Sequence, residues 1–116
     1  MFEIRKPVVL AWTLHARAKM GFYKLSPARV RRVINAPMRI EEGVAPKTVA
    51  MMQPASLKGA GRGKETWTQE IWTMVQDVGK ERKVISAWRY PGVTKPRDEI
   101  TMETMRKEYN EFINKT

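Results

Sequence analysis

LSPARVRRVINAP, residues 25–37, decides how the chain is read. Ser26 can cap a helix by accepting a bond from an orphan amide. Pro27 suits the first helical position, where its missing N–H costs nothing. Val30, Val33 and Ile34 then recur at helical spacing, while Arg29, Arg31 and Arg32 fall on other sides. Pro37 disfavours helical geometry at the residue before it, so Asn35-Ala36-Pro37 ends the helix. Beyond it the period changes. MRIEEG (38–43) alternates apolar and polar residues and turns at Gly43.

Working toward the N-terminus, Thr13 can cap a second helix over 14–23. Leu14, Ala18 and Met20 or Phe22 form its expected buried stripe, with Arg17, Lys19 and Lys24 facing water, and Gly21 weakens its end. Before it, KPVVLAW (6–12) reads as a short strand or extended arm. Toward the C-terminus, KTVAMMQ (47–53) is a strand and QPASLKGAGRGK (53–64) a mobile surface loop. ETWTQEIWTMVQDV (65–78) reads as one long strand, with Trp67, Ile71 and Val75 on one side and Trp72 and Met74 on the other. Apolar residues on both faces place it centrally. DVGKERK is a hairpin turn, KVISAWRY (83–90) the return strand, and PGVTKPRDE a linker. A last helix starts near Thr101, with Met102, Met105, Tyr109 and Phe112/Ile113 turned to the sheet. The expected fold is α+β: two N-terminal helices, a four-stranded, mainly antiparallel sheet, and a C-terminal helix packed on it.

The totals narrow the class. A chain of 116 residues, 42% hydrophobic and 29% charged, suits one globular domain over 1–116. Without cysteine there is neither a disulfide framework nor a thiolate metal site, and a single histidine argues against zinc. The run VVLAW is too short for a signal-peptide core or a membrane span, so a cytoplasmic protein with no membrane contact is expected. Charge says most. Residues 1–64 hold 13 basic and 3 acidic residues, a net +10, whereas residues 65–116 hold 9 of each. A field so one-sided attracts a polyanion or an acidic protein.

HARAKM (15–20) with LSPARVRRVINAPMRIEEG resembles the opening of a family of small bacterial domains whose pattern runs His-Ala-x-x-Arg-Met. His15, Ala16, Lys19, Met20, Leu25, Ser26, Val30, Val33, Ile34 and Pro37 fall on it, with Lys19 in place of the arginine. KVISAWRY followed by RKEYNEF resembles the end of BrnT-type toxins. Ile85, Ser86, Ala87, Glu108 and Tyr109 match, but Trp88 stands where their arginine is expected and Arg89 is displaced by one. Both are similar to the RelE/ParE-like group of small basic toxins. That resemblance implies a metal-independent ribonuclease acting on RNA, often at the ribosome, and neutralised by an antitoxin, here an acidic one.

Metal-free RNA cleavage needs a base for the ribose 2′-hydroxyl, cations for the phosphate and an acid for the leaving oxygen. His15 titrates nearest neutrality and is the candidate base or acid. Its plain alternative is a cap or a packing partner for Trp12. Arg89 is the candidate phosphate clamp, against a simple pairing with Glu70 or a carboxylate of the last helix. Lys19, Arg29, Arg32, Arg82 and Lys83 are candidate phosphate contacts. Trp88 and Tyr90, at a strand end, are expected to be exposed and able to stack on bases, whereas Trp67 and Trp72 belong to the core. GAGRGK lacks the Lys-Ser/Thr ending of a phosphate-binding loop. No cofactor signature is present. Three readings stay open: ribonuclease toxin, non-catalytic module binding nucleic acid or an acidic partner, and accessory protein of a phage or mobile element.

Overall fold

A computed structural model describes residues 9–59 and 65–115. The start of the expected arm (6–8) and the glycine-rich part of the loop (60–64) lie outside the described residues. The elements run β1 (Val9–Trp12), α1 (Leu14–Tyr23), α2 (Pro27–Asn35), β2 (Arg39–Glu42), β3 (Thr48–Pro54), β4 (Glu70–Val78), β5 (Glu81–Tyr90) and α3 (Glu99–Lys115). The fold is α+β, and its sheet has five strands in the order β1-β5-β4-β3-β2.

Two hairpins build most of this sheet. At the first, Gly43 donates its N–H to the Thr48 carbonyl at 2.8 Å, and a Cβ at position 43 would collide with the Thr48 carbonyl and hydroxyl. At the second, Val78 pairs with Glu81 around Gly79, whose φ of +61° favours glycine in a two-residue turn. Between them, Met51 and Met52 of β3 lie opposite Thr73 and Trp72 of β4.

The sheet corrects the four-stranded expectation. Residues 9–12 are a true strand, and β1 pairs in parallel with β5, Val9 opposite Glu81 and Trp12 opposite Val84. A parallel partner some seventy residues away leaves no local turn signal to read. β4 is shorter than expected. Its ladder begins at Glu70. Nearer the loop, Gln69 accepts from the Ala55 amide and Thr66 bridges Lys58.

α1 and α2 cover one face of the sheet through Ala16, Met20, Val30, Val33 and Ile34 on Val49, Met51, Ile71, Val75, Val84 and Ala87. α3 covers the other through Met105 and Phe112 on Met52, Trp72, Met74, Ile85 and Trp88. Both faces of β4 are therefore buried, as its two-sided apolar pattern requires. Trp67 packs with the α3 side and not beside Ile71 and Val75. On α1 the expected stripe holds only at Met20: Leu14, Ala18 and Phe22 are exposed, and His15, Ala16 and Met20 are buried. Among the described residues no helix is long and apolar enough to cross a membrane.

Candidate functional site

Thr13 sets the position of α1. Its hydroxyl accepts from the Ala16 amide at 3.0 Å, which caps the helix, and donates to the Val84 carbonyl at 2.8 Å. The helix is thereby tied to β5 where β1 ends, and His15 follows two residues later. Its ring is sealed between elements, with no side-chain exposure, and Nε2 lies 2.9 Å from Glu108 Oε1 of α3. The Ser86 hydroxyl donates to the same oxygen at 2.6 Å. One turn along α1, Lys19 Nζ is 3.1 Å from Glu108 Oε2 and 3.8 Å from Glu111 Oε1.

Each charge in this cluster faces an opposite one, the single Lys19 ammonium lying against both carboxylates. Burial opposes ionisation of Glu108, but hydrogen bonds from Ser86, His15 and Lys19, with the Lys19 charge, outweigh it and hold the carboxyl below its usual range. Burial likewise works against the Lys19 ammonium, and the bond and charge of Glu108 overcome it, so its pKa is raised. An ionised Glu108 makes Nε2 the protonated ring nitrogen of His15. Nδ1 is buried and, among the described residues, has no hydrogen-bond partner. His15, Glu108 and Glu111 have ligand atoms within 4.8 Å of one another, a spacing that could hold a cation. The Lys19 ammonium already stands against both carboxylates and would repel one. What the cluster does as built is join α1, β5 and α3. A ribose hydroxyl has no route to the His15 ring.

Arg89 lies elsewhere. Along β5, Ser86 and Trp88 face α3, while Ala87 and Arg89 face α1 and α2. Arg89 Nε donates to the Tyr23 carbonyl at 2.8 Å, at the far end of α1 from His15. Eight residues of helix, about 12 Å at 1.5 Å each, separate the two attachment points. The expected pair of His15 and Arg89 is not brought together.

Arg89 instead meets the arginines of α2. Burial, followed by repulsion from Arg32 and Arg89, lowers the pKa of the Arg29 guanidinium. Arg29 is held rigidly all the same, its two terminal nitrogens donating to Gln53 Oε1 at 2.6 Å and to the Pro54 carbonyl at 3.1 Å. Gln53 in turn donates to the Arg32 and Ala36 carbonyls at 2.9 and 2.8 Å, closing the C-terminal turn of α2. Among the described residues none of the three arginines has a carboxylate partner. Arg29 and Arg32 line an open cavity of about 320 Å³ with Gln53, Pro54, Met38 and Leu57.

The remaining candidates divide. Arg82 is 2% exposed and not a turn cation. It sits opposite Asp77 in the ladder and grips both its oxygens, at 2.8 and 3.1 Å. Lys83 is half-buried on the same strand. Trp88 is not an exposed platform. It lies opposite Trp72 and stacks on it, centroids 6.1 Å apart and planes 4° from parallel. Tyr90 is half-buried against the same cluster. Lys19 faces Glu108 and not open water.

A further polar centre had no counterpart in the reading of the sequence. Glu70 is fully buried and accepts four bonds: from the indoles of Trp67 at 2.9 Å and Trp72 at 3.0 Å, and from the Thr94 amide at 2.9 Å and hydroxyl at 2.7 Å. Arg39 lies over the Trp72 ring, 5.2 Å from its centroid, and donates to the Thr94 carbonyl and hydroxyl and to Glu41. The Pro/Gly linker is thus pinned to the sheet. Tryptophans three residues before and two after a glutamate are the local hint, but Thr94, the residue that completes the centre, is far along the chain.

No family model, curated protein or solved structure matches the chain.

Proposed function

We propose that this chain is a small basic RNA-interacting protein that holds RNA by its phosphates through Arg29, Arg32 and Arg89. One observation carries the reading. Arg29 and Arg32 line an open cavity, the Arg32 and Arg89 charges both act on the half-buried Arg29 guanidinium, and none of the three has a carboxylate partner among the described residues. An arrangement that costs energy when empty of counter-charge is relieved by a bound polyanion. The reading is of binding without cleavage at His15, because that ring has no access to solvent and its Nε2 is committed to Glu108.

The test is a filter-binding titration with single-stranded RNA over a range of salt. Affinity is expected to fall with a log–log slope of roughly −0.7 per neutralised phosphate, so about −2 for three contacts. The double variant Arg29→Gln, Arg32→Gln should weaken binding and flatten that slope by about one or more. The RNA should remain intact throughout. A salt-independent affinity would remove the proposal. Cleavage abolished by His15→Ala would restore the ribonuclease reading.

A further inference from the structure

The outer face of α1 presents what a helix packed on a sheet normally hides. Leu14 and Phe22 are both 76% exposed, and Ala18 between them is exposed as well. Spacing at i, i+4 and i+8 puts all three on one side of the helix. The Phe22 ring is held edge-on to Tyr23, centroids 4.8 Å apart at 86°, so its outward orientation is supported from behind. Gly21, on the same outward side, has no heavy atom near where its Cβ would stand. Two large apolar side chains with small residues between them form a seam into which a second helix can settle.

Charge decides what kind of helix. Arg17 and Lys24 flank the seam, both exposed and neither paired with a carboxylate among the described residues. Between residues 4 and 40 there are nine Lys and Arg and no Asp or Glu. The acid that reaches α1 from α3 beside Glu108 is Glu111, and Lys19 and His15 already engage it. A second copy of the chain would bring the same bare cations against Arg17 and Lys24, a juxtaposition that opposes association. A polynucleotide would meet the cations but leave Leu14 and Phe22 without an apolar partner.

From this we infer that the outer face of α1 docks an acidic amphipathic helix of another protein. Its apolar stripe would cover Leu14, Ala18 and Phe22, and its flanking carboxylates would pair with Arg17 and Lys24. The inference does not depend on RNA binding, which is assigned to other side chains.

The probe is a synthetic helical peptide with leucines at i, i+4 and i+8 and glutamates on both flanks. Its controls are the same peptide with lysines for glutamates, vesicles of phosphatidylglycerol, and sedimentation of the protein alone. The acidic peptide should bind and protect Leu14 and Phe22 amides in NMR shift mapping. Phe22→Ser and Leu14→Ser should each weaken it about tenfold or more, and Arg17→Glu should weaken it and reduce its salt dependence. Neither serine variant should lower the melting temperature or RNA affinity, since both side chains stand in solvent. The proposal fails if the acidic peptide does not bind by about millimolar concentration, or if the lysine peptide binds as well. It fails too if Phe22→Ser leaves binding unchanged. Vesicle binding lost in Phe22→Ser without peptide binding would reassign the face to lipid. A dimer of the protein lost in Phe22→Ser would reassign it to a second copy.

Discussion

Two groups of charged side chains lie at opposite ends of α1, and they have opposite characters. Around Glu108, every charge has its complement: a buried carboxylate takes bonds from Ser86, His15 and Lys19. Around Arg29, charges of one sign gather at an open surface, and burial together with the charges of Arg32 and Arg89 lowers the pKa of Arg29. Both contain residue types that a search for chemistry would select. Their surroundings separate them. A titratable group whose partners are all supplied from within has been spent on holding elements together, whereas one left uncompensated keeps its capacity for an outside ligand.

The most severe way to break the comparison is Glu108→Ala. It would remove the buried carboxylate from His15 and Lys19 and leave them only the more distant, partly exposed Glu111. Loss of one partner of a buried pair costs about 3–5 kcal/mol, so the melting temperature should fall by on the order of 15 °C. RNA affinity, measured at a temperature where the variant is folded, should hold. A variant as stable as the parent would mean that the cluster does not join α1 to α3.

Acid and base should separate the two groups next. The folded-state pKa of Glu108 lies below its ordinary 4.5, so the stability it contributes is complete above that value and is lost as pH falls through the depressed folded pKa. For Lys19 the folded pKa lies above the ordinary 10.5. Its contribution is complete below 10.5 and is lost as pH rises through the raised value. Denaturation midpoints followed from pH 3 to pH 11 should therefore decline at both ends, and Glu108→Gln should flatten the acid limb. RNA affinity rests on guanidinium groups, a residue type that does not titrate in the range where carboxylates do, so it should stay level across the acid limb wherever the protein is folded.

The smallest expected effect has the most telling sign. Arg32→Gln removes one of the charges that depress Arg29. It should leave the melting temperature unchanged or raise it slightly while weakening RNA binding, since mutual repulsion is relieved and a phosphate contact is lost. A lower melting temperature would mean that Arg32 belongs to the structure more than to a ligand.

Local chemistry made much of this legible in the sequence. Ser26-Pro27 started α2 where the structure starts it, with Val30, Val33 and Ile34 inward, and Gly79 marked its hairpin. The Met102, Met105, Tyr109, Phe112 repeat found the face of α3, though Thr101 stands two residues inside the helix. What failed depended on distant partners. α1 is only ten residues long, with small residues at 16, 18 and 21, so either side could be buried by apolar content. Glu108, far along the chain, is what draws His15 and Lys19 inward. Trp88 turned out to be core because the ladder puts it opposite Trp72. Arg29 and Arg32 were identified by type and spacing. Their meeting with Arg89 needs the sheet, because nothing near Arg89 in sequence reports that its guanidinium comes to act on Arg29 of α2.

The four bonds that Glu70 accepts have a mechanical meaning. Two of them come from Thr94, between β5 and α3. Tension applied to the C-terminal end would first peel α3 from its face of the sheet, a few side chains at a time. It would then reach Thr94. From that point the load passes sideways into β4, which is hydrogen-bonded to a neighbour along both edges. Glu70 makes the span between β5 and α3 a strain-relief clamp: tugging on the tail can undress one face of the sheet while the strands stay loaded in shear and hold.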